Sequence, residues 1–268
     1  MSAKKDQSFP GTPACIRVFG LPVHLFTKSG LLNFISAAIT GGRQAVIANL
    51  NLHGLYWAIR SDAMERLLGR PRTFVHIDGM PIAWLVKLKC PSAHSVERLA
   101  YLDWGADLLA LAARKRWRVC VVGSTETLCA KGVSQVRSLF PGLEISGRDG
   151  YFDVTDFSPE SKQMTTLNWL REINPDILIV GMGMPRQEAW VEANLVAIPA
   201  RVVLMSGAFI EYFAGGQTVP PRWIGRLGFE WLYRLACNPR RYGHRYLVEP
   251  FALAGLLLAR MIKRRELF

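Results

Sequence analysis

Asp78 stands in VHIDGMPI, a lone carboxylate at the end of an apolar run and directly before a glycine. A carboxylate at the end of a buried strand is partly stripped of water and can take a proton from a hydroxyl, the work of a general base. The same Asp-Gly pair also makes turns and helix caps, and residue type alone leaves both roles open. The preceding run, QAVIANLNLHG, ends in Asn49, Asn51 and His53. Carboxamides there suit sugar hydroxyls and equally well close a turn. In VGMGMPRQEAW, Gly181 and Gly183 follow another apolar run, and Pro185, Arg186, Gln187 and Glu188 open a helix. The N-terminus of that helix can hold phosphate or hydroxyl groups. Asp103, in ERLAYLDWGADLL, is either a helix cap or a further polar group of the same cleft.

Other chemistries lack their residues. The G-x-G at 181–183 has Arg186 where a dinucleotide fingerprint needs its third glycine, which disfavours a nicotinamide-dependent oxidoreductase. The five histidines are scattered, with neither H-x-x-x-H nor H-x-E spacing, and D-x-D is absent, so no metal site is expected. G-x-S-x-G is absent too, and no cysteine has a base partner, so a covalent nucleophile is not expected. The five cysteines are odd in number and never spaced C-x-x-C, as free thiols in a reducing compartment are. The polar start, MSAKKDQSFPGTP, lacks the apolar core of a signal peptide, so a cytoplasmic location is expected.

The elements that must position these groups follow from hydropathy. Apolar runs of strand length alternate with helical patterns. A strand and turn lie at 16–23, a helix at 27–40 capped by Thr27 or Ser29, a strand at 44–51, a helix at 53–69, and a strand at 72–77 followed by a helix to 89. The second half repeats the rhythm, with helix at 104–115 and strands at 117–124, 143–152, 175–181 and 200–207. The reading is α/β, with a Rossmann-like, mostly parallel sheet. Ligands of such sheets bind beyond the carboxyl ends of the strands, here the Gly123-Ser124, Gly181-Met182-Gly183 and Ser206-Gly207 loops. Residues 1–15 read as a disordered lead and 16–219 as the α/β domain. Residues 220–268, after Pro220-Pro221, read as a basic and aromatic helical appendage.

With 268 residues, half of them hydrophobic, the chain can form a real core, and general disorder is excluded. Its net charge is +12, and the segment from Arg222 onward holds ten basic residues against three acidic ones. Such a segment seeks an anionic partner. Arginines interleaved with Trp223, Trp231, Tyr233, Tyr242 and Tyr246 suit either stacking on single-stranded nucleic acid or a membrane interface. The apolar stretch at 251–262 is interrupted by Arg260 and is shorter than the ~20 residues a bilayer span needs. Followed by Lys263, Arg264 and Arg265, it favours a helix lying on an anionic membrane surface over a nucleic-acid-binding α/β module.

Several blocks in order, namely the IDG loop at Asp78, LFPGLEISGRDGYF, PDILIVGMGMPRQEAW and PPRWIGRLGFEWLYRLACNPRRYGHRY, resemble the WecG/TagA/CpsF glycosyltransferases of bacterial cell-surface polysaccharide synthesis. The resemblance runs from FGLPV to HRYL. It implies an inverting, metal-independent and cofactor-free transfer of a sugar from a UDP-sugar to a polyprenyl-diphosphate-linked sugar. The donor would be of the glucose or N-acetylmannosamine type, and the pathway that of an exopolysaccharide or other surface polysaccharide. It implies Asp78 as the catalytic residue, with Asn49, Asn51, Pro185, Arg186, Gln187 and Glu188 binding substrate; Gly79, Gly183 and Asp103 join the expected substrate-binding residues by their position beside these loops. Arg234, Arg240 or Arg241, and Arg245 would hold the diphosphate. Asn49 replaces the hydroxyl of a Thr-x-Asn pair, which inclines the donor toward a hexose such as glucose. Val219-Pro220-Pro221 replaces an Arg-Ala-Pro and loses a cation. The implied setting is the inner face of the cell membrane, without nucleic acid. Oligomeric state stays open between a soluble homo-oligomer and a membrane-bound monomer.

Overall fold

Alternate residues of the apolar runs point to opposite faces of one sheet, and both faces are covered. On one face lie Val46, Ala48, Leu50, Val75, Ile77, Val122, Val180 and Met205, and on the other Ile47, Phe74, Val121, Ile179 and Leu204. This is why the strands read as unbroken apolar runs, the signature of a parallel sheet between two helical layers.

The computed structural model describes residues 11–90 and 97–265. A hairpin of β1 (Cys15–Val18) and β2 (Leu21–His24) precedes α1 (Lys28–Thr40), β3 (Ala45–Leu50), α2 (Leu52–Arg60), α3 (Asp62–Gly69), β4 (Thr73–Ile77) and α4 (Met80–Lys89). Then follow α5 (Tyr101–Lys115), β5 (Val119–Gly123), α6 (Glu126–Leu139), β6 (Ile145–Arg148), α7 (Lys162–Ile173), β7 (Ile177–Gly181), α8 (Arg186–Asn194), β8 (Val202–Met205) and α9 (Phe209–Phe213). From Arg222 onward the fold is helical: α10 (Arg222–Arg226), α11 (Glu230–Cys237), α12 (Pro239–Gly243), a π-helical turn (His244–Val248) and α13 (Glu249–Arg265). The main sheet has the order β4-β3-β8-β7-β5-β6, with every pairing parallel. Helices α2, α3, α4, α7 and α8 cover one face, and α1, α5, α6 and α9 the other.

The α/β reading with a helical C-terminal segment is what the structure shows, and local chemistry adjusts its details. Residues 16–23 form two antiparallel strands rather than one, because Phe19 and Gly20 both take positive φ (50° and 90°), the geometry of a tight hairpin turn. The helix expected over 53–69 is two helices. Ser61 is extended (φ −123°, ψ 106°) and its hydroxyl caps α3 by accepting from the Met64 amide. Thr27 caps α1 in the same way. Of the lead expected to be disordered, residues 1–10 lie outside the described residues, as do the side chains of Lys263, Arg264 and Arg265 assigned to lipid.

Helix α13 packs one face on the α/β domain. Leu253 is buried, Leu256 and Leu257 pack beside it, and Arg260 lies 3.7 Å from Glu65 of α3. Its opposite face leaves Phe251 79% and Leu258 60% exposed.

Two features of the sheet make testable demands. Strands β5 and β7 approach so closely at their ends that a Cβ on Gly123 would lie 2.5 Å from the Gly181 carbonyl oxygen, a backbone atom that cannot rotate away. Gly123→Ala should lower stability by about 1–3 kcal/mol, read as a reduced denaturation midpoint with unchanged slope. His76 on β4 is fully buried, edge-on to Trp104, and neither ring nitrogen has a hydrogen-bond partner among the described residues. Burial pushes its imidazole down to about 4 from 6.5. Between these values the unfolded chain binds the proton and the folded chain does not, so this contribution is intact above pH 6.5 and is lost as pH falls toward 4. It amounts to roughly 3 kcal/mol. Denaturation at pH 7 and pH 4.5 should show a smaller acid loss for His76→Phe than for the parent; equal losses would refute the assignment.

Candidate active site

The ends of β3, β4, β7 and β8 converge below the C-terminal helices, and the cleft between them has two contiguous lobes of about 330 and 220 Å³. Asn51, His53, Asp78, Arg234 and Arg245 line both lobes. The larger lobe opens between α4 and α11, past Met80, Pro81, Gly228 and Trp231. The smaller runs over the strand ends, past Asn49, Gly183, Gln187, Ser206 and Gly207, to Arg241 and Tyr242.

Asp78 is not a helix cap. Gly79 takes the N-cap position of α4 without any side-chain cap bond, and the Asp78 amide donates to the Leu50 carbonyl across to β3. Its carboxylate is thereby free for the cleft, where Oδ2 accepts from Asn51 Nδ2 at 2.8 Å. Asn51 does cap α2, its Oδ1 accepting from the Gly54 amide at 2.9 Å. The two bonds fix the amide's orientation: oxygen to the helix, nitrogen to the carboxylate. Gly79 supplies the room. A Cβ there would meet Asn51 Cβ at 2.8 Å, so the glycine of the IDG loop is what lets Asn51 reach Asp78.

The other sequence candidates divide. Asn49 is buried at the floor of the smaller lobe, and its Oδ1 has no hydrogen-bond partner among the described residues. Gly183, at φ 81°, turns the chain into α8. Gln187 lines the lobe, held by accepting from the Gly207 amide (3.2 Å) and donating to Glu188 Oε1 (2.8 Å). Glu188 itself lies behind Gln187, fully enclosed, and burial pushes its carboxyl up to about 7. Arg186 turns away from the cleft: its guanidinium donates to the Phe152 carbonyl and stacks against Tyr151. Pro185 precedes α8 without lining either lobe, and Arg240 is exposed on α12. Asp103 lines neither lobe and accepts from Arg98, which lines the larger one, at 3.2 Å.

Arg98 carries no local motif, and only the tertiary fold reveals it. It lines the larger lobe and donates to Glu230 Oε2 at 2.8 Å, while Arg234 donates to Glu230 Oε1 at 2.5 Å. Burial alone would raise the Glu230 carboxyl, but Arg234 and Arg98 outweigh it and hold the group below its ordinary range. Deeper in the smaller lobe, Tyr212 lies under Arg234, and burial pushes its phenol up to about 12. Arg241 lies 3.6 Å from Glu211, which also accepts from Ser124 (3.2 Å) and Gln217 (2.8 Å). Arg245 has a buried Nε without a hydrogen-bond partner among the described residues. The cleft therefore sets a carboxylate, with one oxygen free among the described residues, opposite guanidinium groups, an arrangement able to deprotonate a hydroxyl and to receive a departing anion.

The profile of the glycosyl transferase WecG/TagA/CpsF family matches residues 16–267. Among curated relatives, the N-acetylglucosaminyldiphosphoundecaprenol N-acetyl-beta-D-mannosaminyltransferase of Bacillus subtilis (strain 168) is 29% identical over 213 residues, covering 79% of each chain. The protein of the same name from Bacillus spizizenii is 28% identical over 236 residues, 86% of this chain and 88% of the relative. That of Staphylococcus aureus (strain NCTC 8325 / PS 47) is 25% identical over 180 residues, 67% of each. A match over nearly the whole chain places this protein, an enzyme with an α/β fold, in the WecG/TagA/CpsF family of glycosyltransferases.

Proposed function

We propose that the protein transfers a sugar from a UDP-sugar, of the glucose or N-acetylmannosamine type, to a polyprenyl-diphosphate-linked sugar, with inversion and without a metal ion. The observation that carries this reading is Asp78, placed at a strand end with one oxygen held by Asn51 and facing a cleft walled by arginines. In the proposed step, Asp78 takes the proton of the attacking hydroxyl as the acceptor oxygen bonds to the anomeric carbon. The bond from that carbon to the UDP oxygen breaks, and the departing diphosphate takes both electrons. Its negative charge is met by Arg245 and Arg241, with Arg234 behind them, the task a cation performs elsewhere. Arg245 is the first choice because it lines both lobes with no carboxylate paired to it among the described residues, whereas Arg234 is already bonded to Glu230.

The lipid-linked acceptor is supported by the relatives' names, all of which specify an undecaprenol diphosphate carrying N-acetylglucosamine. The inner membrane face as working location is supported by the apolar residues around the cleft mouth and on the outer side of α13: Trp231, Leu232, Leu247 and Phe251 are all exposed. No helix of the described residues is long and apolar enough to cross a membrane. Tyr242 and Tyr246, which would otherwise offer faces to nucleic-acid bases, stack on each other at 5.6 Å.

Purified protein, given a polyprenyl-diphosphate sugar and each of UDP-glucose and UDP-N-acetylmannosamine, should form product with one of them. Asp78→Asn, with unchanged circular dichroism, should lose at least about 100-fold in rate; a variant as fast as the parent would remove Asp78 as base. Arg245→Ala should cost ~10–1000-fold even on a short-chain, water-soluble acceptor, because the lost group acts on the diphosphate and not on the bilayer. A loss confined to membrane-bound acceptor would reassign Arg245 to lipid.

A further inference from the structure

His53 is the second residue of α2 and lines both lobes of the cleft, next to Asn51 and across from Asp78 and Arg234. Its Nδ1 lies 2.5 Å from Oε2 of Glu249, the first residue of α13. The carboxylate is only 7% exposed, and its other oxygen lies 3.4 Å from His244 Nδ1. Nothing in the proposed reaction uses this pair, yet it couples a cleft-lining ring to the last helix of the fold. A buried carboxylate is costly unless hydrogen-bonded, so it draws the proton of a neutral imidazole onto Nδ1. Nε2 then carries the lone pair, and no partner for it exists among the described residues.

We propose that Glu249 is a positioning residue that holds His53 as the Nδ1–H tautomer, so that Nε2 accepts a hydrogen bond from a sugar hydroxyl at the junction of the two lobes. This rests on the sugar-transfer reading of the same cleft. It makes the docking of α13 a condition for correct sugar placement: without Glu249 the ring is free to rotate and to carry its proton on either nitrogen. The charged groups facing His53 are Glu249, His244 and Arg245 from the C-terminal segment, and Asp78 and Arg234 across the cleft. Burial and Arg245 push the imidazole below its ordinary range, and Glu249 pulls it back up. The ring is thus neutral, and able to accept, at neutral pH.

Three measurements test the pair on the full chain. Ring-¹⁵N histidine spectra, with His53 identified by its loss in His53→Gln, should show the proton on Nδ1; a proton on Nε2 overturns the proposal whether or not any variant is active. His53→Phe should lower kcat/KM by about tenfold or more, the loss of one hydrogen bond to substrate, and His53→Gln should recover part of it through its amide oxygen. If the rise falls on the KM for the lipid-linked acceptor, the hydroxyl belongs to the acceptor sugar; if on the KM for the UDP-sugar, to the donor. In the same spectra Glu249→Gln should lower the pH at which the His53 ring takes up its second proton, since it removes the group that raises it; a titration that stays in place overturns the control by Glu249, and His53→Phe at the parent's rate overturns the hydroxyl contact. Should the parent form no product with any UDP-sugar, the sugar-transfer reading fails while the spectra still decide the tautomer.

Discussion

The carboxylate of Glu230, clasped between Arg98 of the α/β domain and Arg234 of its own helix, fastens the C-terminal helices over the strand ends. Three charges share a nearly dry place there, and removing one partner from such a group typically costs about 3–5 kcal/mol because the others stay buried without it. The second wall of the cleft depends on this clasp. Were it to open, Arg241, Arg245 and Tyr246 would leave the vicinity of Asp78 with the helices that carry them. The Glu211 cluster with Arg241 and the seating of Leu253 reinforce the same junction from either side. The clasp thus helps to hold the second wall of the cleft in place, opposite Asp78 and Asn51 on the strand ends.

Much of this was legible in the chain. Unbroken apolar runs at strand length, each followed by glycine or a small polar residue, gave the parallel sheet and the end of it where ligands bind; Asp78, Asn51, Gly183, Gln187 and Ser206 all lie there. Strand-end chemistry is local, so it can be read locally. The break at Ser61 is local but subtle: a serine can sit inside a helix or cap one, and the packing of α3 against β2 and β4 selects the cap.

What could not be read lies in pairings across long stretches of sequence. Arg98 has no neighbour that marks it, and its partner Glu230 is more than a hundred residues away. Arg186 reads as a substrate-binding residue because it opens a helix beside a glycine turn, but its guanidinium goes to the Phe152 carbonyl and the Tyr151 ring instead. Between Arg240 and Arg241 the sequence offers no choice, whereas the short α12 turns one outward and the other to Glu211. Gly79 is a mixed case: its presence beside Asp78 was plain, and its purpose, clearance for Asn51, was not.

The order of the chain gives this arrangement a further meaning during synthesis. Asp78 leaves the ribosome 167 residues before Arg245, the arginine that lines both lobes with it. At about 5–20 residues per second, a nascent chain carries the carboxylate for roughly ten seconds or more before Arg245 exists. A polypeptide abandoned in that interval has the strand ends and Asp78 but not the second wall of the cleft. The cleft is therefore enclosed only after the helices from α11 onward have been made, an order of assembly written into the topology.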